Sequence, residues 1–407
     1  MRVVLIKGIS EYGVLRLCVD QLGQAFERAG WQVTVIAPTD AQTLADGLTL
    51  ASAEPADLVF TFGILGDATH MGRSIGEVFS APHVIQYVDY PLSHTAALDN
   101  TPANVALLFV DRTHPVAVAS VYGAGRFASV GFSPHAALGE AIPVGPDPES
   151  FRRDRPIPLL FCGTFFESGA RAWRDFPSPA REIYDAAYDL VSSEDWVPAL
   201  SAVDEALRAL GLNPADPALA SVRKGATLIH EHVRAERRLA LLRATARLGI
   251  PLHVCGRGYD RWLGELPNVT YLGPLDVTES LAAMGQARMV LNANANFGAG
   301  SHERVLSAMN AGAAVASDTS SFYQSSFRPG QEILLYRWTQ LDEDLQRVAR
   351  IAEDPEAVFA LAAAGQARVR KEHLWDHRLP AILAAADSVR RPTRRPEAAL
   401  AVRLQTL

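Results

Sequence analysis

Short, wholly apolar runs alternate with helical stretches along this chain, and that rhythm limits the fold more than any other feature. Residues 2–6 are one such run, and Gly8 and Gly13 flank the loop after it. Apolar residues then fall at Leu15, Val19, Leu22 and Phe26, which is helical spacing over residues 15–29. Gly30 closes that helix, and residues 31–37 read as a second strand stopped by Pro38. Residues 57–62, 83–88 and 105–110 repeat the strand pattern. Runs that stay apolar instead of alternating belong to parallel strands covered on both faces. Residues 1–150 therefore read as one doubly wound α/β domain.

The segment 142–158 carries five prolines and a charge cluster. It cannot be a continuous helix or a central strand, so it reads as an interdomain linker. A new strand start follows at residues 159–164, but the next clear strand, 251–255, is far away. A crossover needs only about a dozen residues, so a helical insertion is expected at about 170–245. After Cys255 the rhythm resumes, with strands expected at 269–272, 289–292, 313–316 and 332–336. Helices are expected at 277–286, 302–311, 341–352 and 355–372. This makes 151–387 a second Rossmann-like domain, and 388–407 a basic tail read as mobile. Two such sheets leave a cleft between them, and ligands bind outside the carboxyl ends of the strands.

The chain has 407 residues, enough for two cores. Its net charge of −7 argues against general nucleic-acid binding, which favours a basic excess. Cys18, Cys162 and Cys255 are far apart and form no C-x-x-C, so neither a disulfide framework nor a cysteine zinc site is indicated. The first apolar run is short and closed by Lys7, and no uncharged apolar stretch is long enough to span a bilayer. The expectation is a cytoplasmic protein without a transmembrane segment.

Residues 289–318 carry the strongest chemical signal. A strand ends at Asn292, and a loop runs through Asn294, Asn296, Gly298 and Gly300. Ser301 stands where a helix cap is expected, with Glu303 early in the helix and Val305, Leu306 and Met309 on its apolar face. Glycines ahead of a helix N-terminus let backbone N–H groups approach an anion. His302 and Arg304 lie in the first turn, where cations oppose the helix dipole. A phosphate between them would offset that cost; an ordinary glycine loop with surface charges is the plainer alternative.

The order strand, glycine-rich loop, H-E-R-x-L-x-A-M-x-x-G-A, strand, Asp318 resembles the C-terminal domain of GT-B-fold glycosyltransferases. It most resembles the CgeB-type, spore-maturation-protein-like branch. Residues 144–152, 159–164 and 268–273 resemble the linker, the first strand with its nucleotide-facing turn, and the V-x-x-L-G loop of that domain. The resemblance implies GT-B architecture: two Rossmann-like domains facing a cleft, the first on the acceptor side and the second holding the donor. It implies a glycosyltransferase that moves a sugar from a UDP-, GDP- or dTDP-sugar to a glycan, protein or small-molecule acceptor. It implies no further cofactor. Carried onto this chain, the donor residues are Gly163, Thr164, Arg171, Arg257, Gly273, Asn294, Gly298, Gly300, Ser301, His302, Arg304 and Ser307. Related families place a Glu, which holds the ribose hydroxyls, where Ser307 stands here.

Other strings carry less. Gly256 to Arg261 is a broken G-x-G-x-x-G with Asp276 twenty residues on, but its strand does not open a domain, which argues against a nicotinamide site. Asp342-Glu343-Asp344 is a D-x-D string at the start of an amphipathic helix, not after a buried strand, so no metal site is expected. His230 and His232 are two apart and face different ways on a helix. Arg174, like Arg171, belongs either to a loop closing on the diphosphate or to the insertion. For a general base the first domain offers Asp89, right after a buried strand, with His70 and Glu11 as rivals. Capping the turn ahead of Pro91 is the alternative role for Asp89. A nucleotide-sugar epimerase and a non-catalytic nucleotide or glycan binder are the alternative functions.

Overall fold

The computed structural model describes residues 1–390 except 9, 166–168, 261 and 295–296, and it leaves the side chain of Ile64 undescribed. Asn296, Arg261 and the basic tail from residue 391 thus lie outside the described residues.

The first sheet has six parallel strands: β1 (Arg2–Ile6), β2 (Gln32–Ile36), β3 (Leu58–Phe62), β4 (His83–Tyr87), β5 (Val105–Phe109) and β6 (Ser129–Phe132). Their order is β2-β1-β3-β4-β5-β6. Every residue of β1, β3, β4 and β5 is buried, which is why these strands read as unbroken apolar runs. The two edges, β2 and β6, are partly exposed. Helix α1 (Val14–Arg28) covers one face through Cys18, Val19, Leu22 and Phe26.

The second sheet is also all parallel: β7 (Ile157–Cys162), β8 (Leu252–Cys255), β9 (Val269–Tyr271), β10 (Ala287–Asn292), β11 (Ala314–Asp318) and β12 (Leu334–Tyr336). Its order, β9-β8-β7-β10-β11-β12, reverses between β7 and β10. That reversal opens a crevice beyond Cys162 and Asn292. Within the linker, Pro148–Asp154 forms a short helix whose cap, Asp147, accepts from the Ser150 N–H at 2.9 Å.

Between β7 and β8 lie α2 (Ala180–Ser193), α3 (Ala199–Ala209) and α4 (Ala226–Arg247). At 22 residues, α4 is about 33 Å long. Its first half joins α2 and α3 in a cluster with Tyr90, Leu92, Val110 and Ala117 of the first domain. Its second half packs Leu241, Leu242 and Ala244 on the second sheet. The insertion is therefore wedged between the two sheets.

One boundary differs from the sequence reading. Residues after Glu372 leave the second domain: Trp375, Leu379, Ile382, Ala385 and Ala386 pack into the cluster of Val3, Leu5, Leu58 and Phe60. Helix Leu379–Arg390 thus belongs to the first sheet's core. Arg28 and Asp376 fasten that return with paired contacts of 2.8 and 2.7 Å.

Candidate active site

The carboxyl ends of the two sheets face one another across a cavity of about 470 Å³. The second domain contributes Gly163 and Thr164 after β7, Gly256 after β8, and the first turn of helix α6 (Glu303–Asn310), here numbered after α5 (Val277–Gly285). The first domain contributes Glu11, Tyr12, Asp89 and His135. The third wall is α4, which presents His230, Arg234 and Arg238 at steps of four residues, one stripe along a helix.

Two guanidinium groups set the charge of this space. Arg304 is buried, and its Nη1 donates to Asn292 Oδ1 at 2.9 Å. Arg238 is also buried and donates to the Thr164 carbonyl at 2.5 Å. Among the described residues, neither has a carboxylate within ion-pair distance. Burial pushes the Arg238 pKa down to about 9, and repulsion from Arg304 and Arg234 adds to that. Buried cations without counter-charges are costly unless an anion is bound, so this wall is built for an anion.

Beside them is a carboxylate. Glu303 Oε2 lies 2.7 Å from His302 Nδ1 and 3.9 Å from His135 Nε2. Burial alone would raise the Glu303 carboxyl, but His302, His135 and Arg304 hold it well below the usual range. Burial lowers His302, and it pushes His135 down to about 4. His302 Nδ1 faces the carboxylate, and its Nε2 lies 3.4 Å from Arg304 Nη2, so one imidazole bridges the acid and the guanidinium.

Asp89 follows β4 with 60% of its side chain accessible, and it faces His94 Nε2 at 3.6 Å. Burial of the carboxyl opposes ionisation, but the His94 contact and the charges of Arg234 and His302 lower its pKa on balance. It is an anion open to the cavity.

The residues read from the sequence divide into four groups. Gly163, Thr164, Asp89, His302, Arg304 and Ser307 all line the cavity. Arg257 sits at the rim, paired with Glu11 across the domains, with its guanidinium 5.7 Å from the Tyr12 ring centroid. Gly273 accepts from the Gly256 N–H behind the wall. Asn294, Gly298, Gly300 and Ser301 also stand behind it, with structural work of their own. Asn294 donates to the Phe297 carbonyl at 2.8 Å and accepts from Tyr323 at 2.9 Å. A Cβ at Gly298 would lie 1.6 Å from the Trp196 ring, and one at Gly300 would lie 2.4 Å from the Val110 carbonyl oxygen. These two glycines make room for protein, the insertion at one and the first domain at the other. The cap position falls on His302, so Ser301 is one residue too early.

Two expected residues lie elsewhere. His70 sits in a small hairpin, 3.1 Å from Thr49 Oγ1, outside the cavity wall. Arg171 belongs to the insertion: it pairs with Asp185 at 2.7 Å and stacks on Tyr188 at 3.9 Å. Ser307 lines the cavity, but its hydroxyl accepts from the Leu138 N–H at 2.9 Å and donates to the Glu303 carbonyl at 2.7 Å. The side chain there locks the domains together. The D-x-D acids are not a solvated pair either: Asp344 is buried against Arg337 at 3.0 Å, and Asp342 pairs with Arg247 at 2.7 Å. Among the described residues, no three His, Cys, Asp or Glu side chains gather as a metal site.

Comparison with known proteins fits this geometry. Residues 234–384 match the glycosyl transferase-like family, a segment that begins at Arg234 and includes α6. No curated protein matches the sequence. Among solved structures, sucrose-phosphate synthase from Thermosynechococcus elongatus is 14% identical, with a TM-score of 0.53 over 96% of this chain and 98% of its own. A glycosyltransferase from Rickettsia africae is 8% identical, with a TM-score of 0.52 over 96% and 98%. An alpha-glucosyltransferase solved with UDP and a 13-mer DNA is 10% identical, with a TM-score of 0.52 over 95% and 99%. These likenesses show the two-sheet GT-B fold along nearly the whole chain. Within that fold, residues 234–384 carry the glycosyl transferase-like domain. No described helix is long and apolar enough to cross a membrane.

Proposed function

We propose that this chain takes a nucleoside diphosphate sugar into the cavity and transfers the sugar to an acceptor hydroxyl, as a member of the CgeB-type branch. The observation that carries this reading is the pair Arg238 and Arg304, two buried guanidinium groups on one cavity wall, neither within ion-pair distance of a carboxylate among the described residues. A diphosphate supplies the missing charge through charge-assisted hydrogen bonds. As the bond from the anomeric carbon to the diphosphate breaks, negative charge grows on the leaving oxygen. Arg238, Arg304 and the N-terminus of α6 stabilise it there. Asp89 accepts the proton of the attacking hydroxyl, since it is anionic and open to the cavity. Glu303, held by His302, faces the same space and binds sugar hydroxyls.

The two arginines offset the charge that a divalent cation would otherwise offset, so the reaction runs without added metal. Activity should survive excess EDTA; a loss that Mg²⁺ restores would end that part of the reading. UDP is the first nucleotide to test, since the alpha-glucosyltransferase of the same fold was solved with it. Thermal unfolding with UDP, GDP, dTDP and ADP tests the donor site: at about 100 times Kd, binding stabilises by about 2.7 kcal/mol. Incubation with the matching nucleotide sugar should then release nucleoside diphosphate. Conversion of the sugar without release would instead make Asp89 and Glu303 the acids of an epimerase.

A further inference from the structure

The three cysteines, distant from one another in sequence, all line the cavity. Two of them are neighbours in the second sheet. Cys162 ends β7, Cys255 ends β8, and the two are register partners across the parallel ladder. Both pack into the cluster that holds Val305 and Ala308 of α6, so their side chains share one face of the sheet. Adjacent strands run about 4.8 Å apart, inside the span of about 4.4–6.8 Å between Cα atoms that a disulfide bridges. Both thiols are free in this structure. Among the described residues no third His, Cys, Asp or Glu joins them as a metal site. The chemistry open to the pair is thiol–disulfide exchange.

The two thiols are not equivalent. A hydrogen bond from the Cys162 thiol lowers the Cys255 thiol below its ordinary value; burial opposes this, and the Arg304 charge supports it. Cys255 is therefore the nucleophile of the pair and Cys162 its resolving partner. Cys18 lies on α1 in the first domain, where burial raises its thiol well above the ordinary value. Each member of the pair directly precedes a glycine of the cavity wall, Gly163 or Gly256. The Gly163 N–H donates to the Cys255 carbonyl at 2.9 Å, and a Cβ at Gly163 would stand 3.5 Å from the Arg304 guanidinium. Arg238 donates to the carbonyl of Thr164, the next residue. A covalent bond between the two sulfurs would draw on the backbone against which both arginines rest.

We propose that Cys162 and Cys255 are a peroxide-sensitive thiol pair that closes reversibly to a disulfide in the cavity wall and thereby weakens nucleotide binding. The Cys255 thiolate attacks a peroxide oxygen: an S–O bond forms, the O–O bond breaks, and hydroxide leaves and takes up the thiol's proton as water. The Cys162 sulfur then attacks the Cys255 sulfur: the S–S bond forms, the S–O bond breaks, and the hydroxyl leaves with the Cys162 proton as a second water. The two thiols together lose two electrons, and the peroxide gains them. Only the effect on nucleotide rests on the sugar-transfer reading. The full chain is treated with hydrogen peroxide, its remaining thiols are alkylated under denaturing conditions, and its peptides are mapped by mass without reductant. UDP is titrated by calorimetry into the reduced, the oxidised and the dithiothreitol-treated protein. Peroxide should link the Cys162 and Cys255 peptides and leave Cys18 alkylated. It should lower UDP affinity by about tenfold or more, the effect of losing one hydrogen bond to a charged group, and dithiothreitol should reverse both changes. Cys255→Ser should abolish the link and the peroxide effect together. Absence of the link in the oxidised wild type, or a link with UDP affinity unchanged, overturns the proposal even if Cys255→Ser fails to fold. A reversible link in a chain that binds no nucleotide when reduced would sustain the thiol pair and remove the donor reading.

Discussion

Replacing Arg304 by Ala should separate the diphosphate from the nucleoside. The wild-type guanidinium is buried, donates to Asn292, and lies close enough to Arg238 for the two charges to repel. In the free protein its removal relieves the repulsion with Arg238 and loses both the hydrogen bond to Asn292 and the attraction to Glu303. In the complex it removes a hydrogen bond between charged groups, worth about 1.5–3 kcal/mol. That corresponds to a loss of about 10- to 150-fold in affinity for the diphosphate. The nucleoside carries no phosphate and should lose less than about threefold. Calorimetric titration of wild type and Arg304→Ala with UDP and with uridine reads both numbers. An unchanged UDP affinity, or an equal loss for uridine, would refute the assignment of Arg304 to the phosphates.

Other expectations follow from the same geometry. Asp89→Asn should lower kcat by about 100-fold or more while sparing nucleotide binding, since only proton acceptance is removed; steady-state kinetics with titration calorimetry checks it. Gly300→Ala should impair domain docking and activity together, because its Cβ meets the Val110 carbonyl oxygen at 2.4 Å; limited proteolysis reads the loosened contact. Folding stability should fall as pH drops from about 6.5 to 4. Burial pushes His83 and His373 down to about 3 and His135 to about 4, so the unfolded state binds more protons in that window. Each contributes up to about 1.4 kcal/mol per pH unit. Asp318, pushed up to about 6 by burial, works the other way, so Asp318→Asn should steepen the fall in melting temperature.

Much of this fold was legible in the sequence because the strands are buried on both faces. β1, β3, β4 and β5 leave no polar alternation to confuse the reading, and in this sheet only β6, with its Gly131 and edge position, gives no such signal. The strand–loop–helix at 289–310 was legible too, and it led to Arg304 and His302. The loop glycines were recognised, but their reason was not: Trp196 and Val110 approach them from distant parts of the chain, and no local pattern announces that. Arg238 lies in the helical insertion, away from the strand-end loops where ligands of such sheets are expected, so it does not stand out in the sequence. Its signal was present in the four-residue steps His230, Arg234, Arg238, a polar stripe on an otherwise buried helix. His135 lies in an irregular loop, and the return of Trp375–Arg390 to the first sheet depends on a partner surface that spacing alone does not identify.

Release of nucleoside diphosphate from nucleotide sugars tests the central claim most directly. Wild type, Arg238→Met and the Arg238→Met, Arg304→Met double variant are incubated with UDP-, GDP-, dTDP- and ADP-sugars, and the product is quantified. The account predicts release from at least one donor by wild type, sharply reduced release by the single variant, and none above background by the folded double variant. Undiminished release by the folded double variant would show that the two buried guanidinium groups are not the leaving-group site.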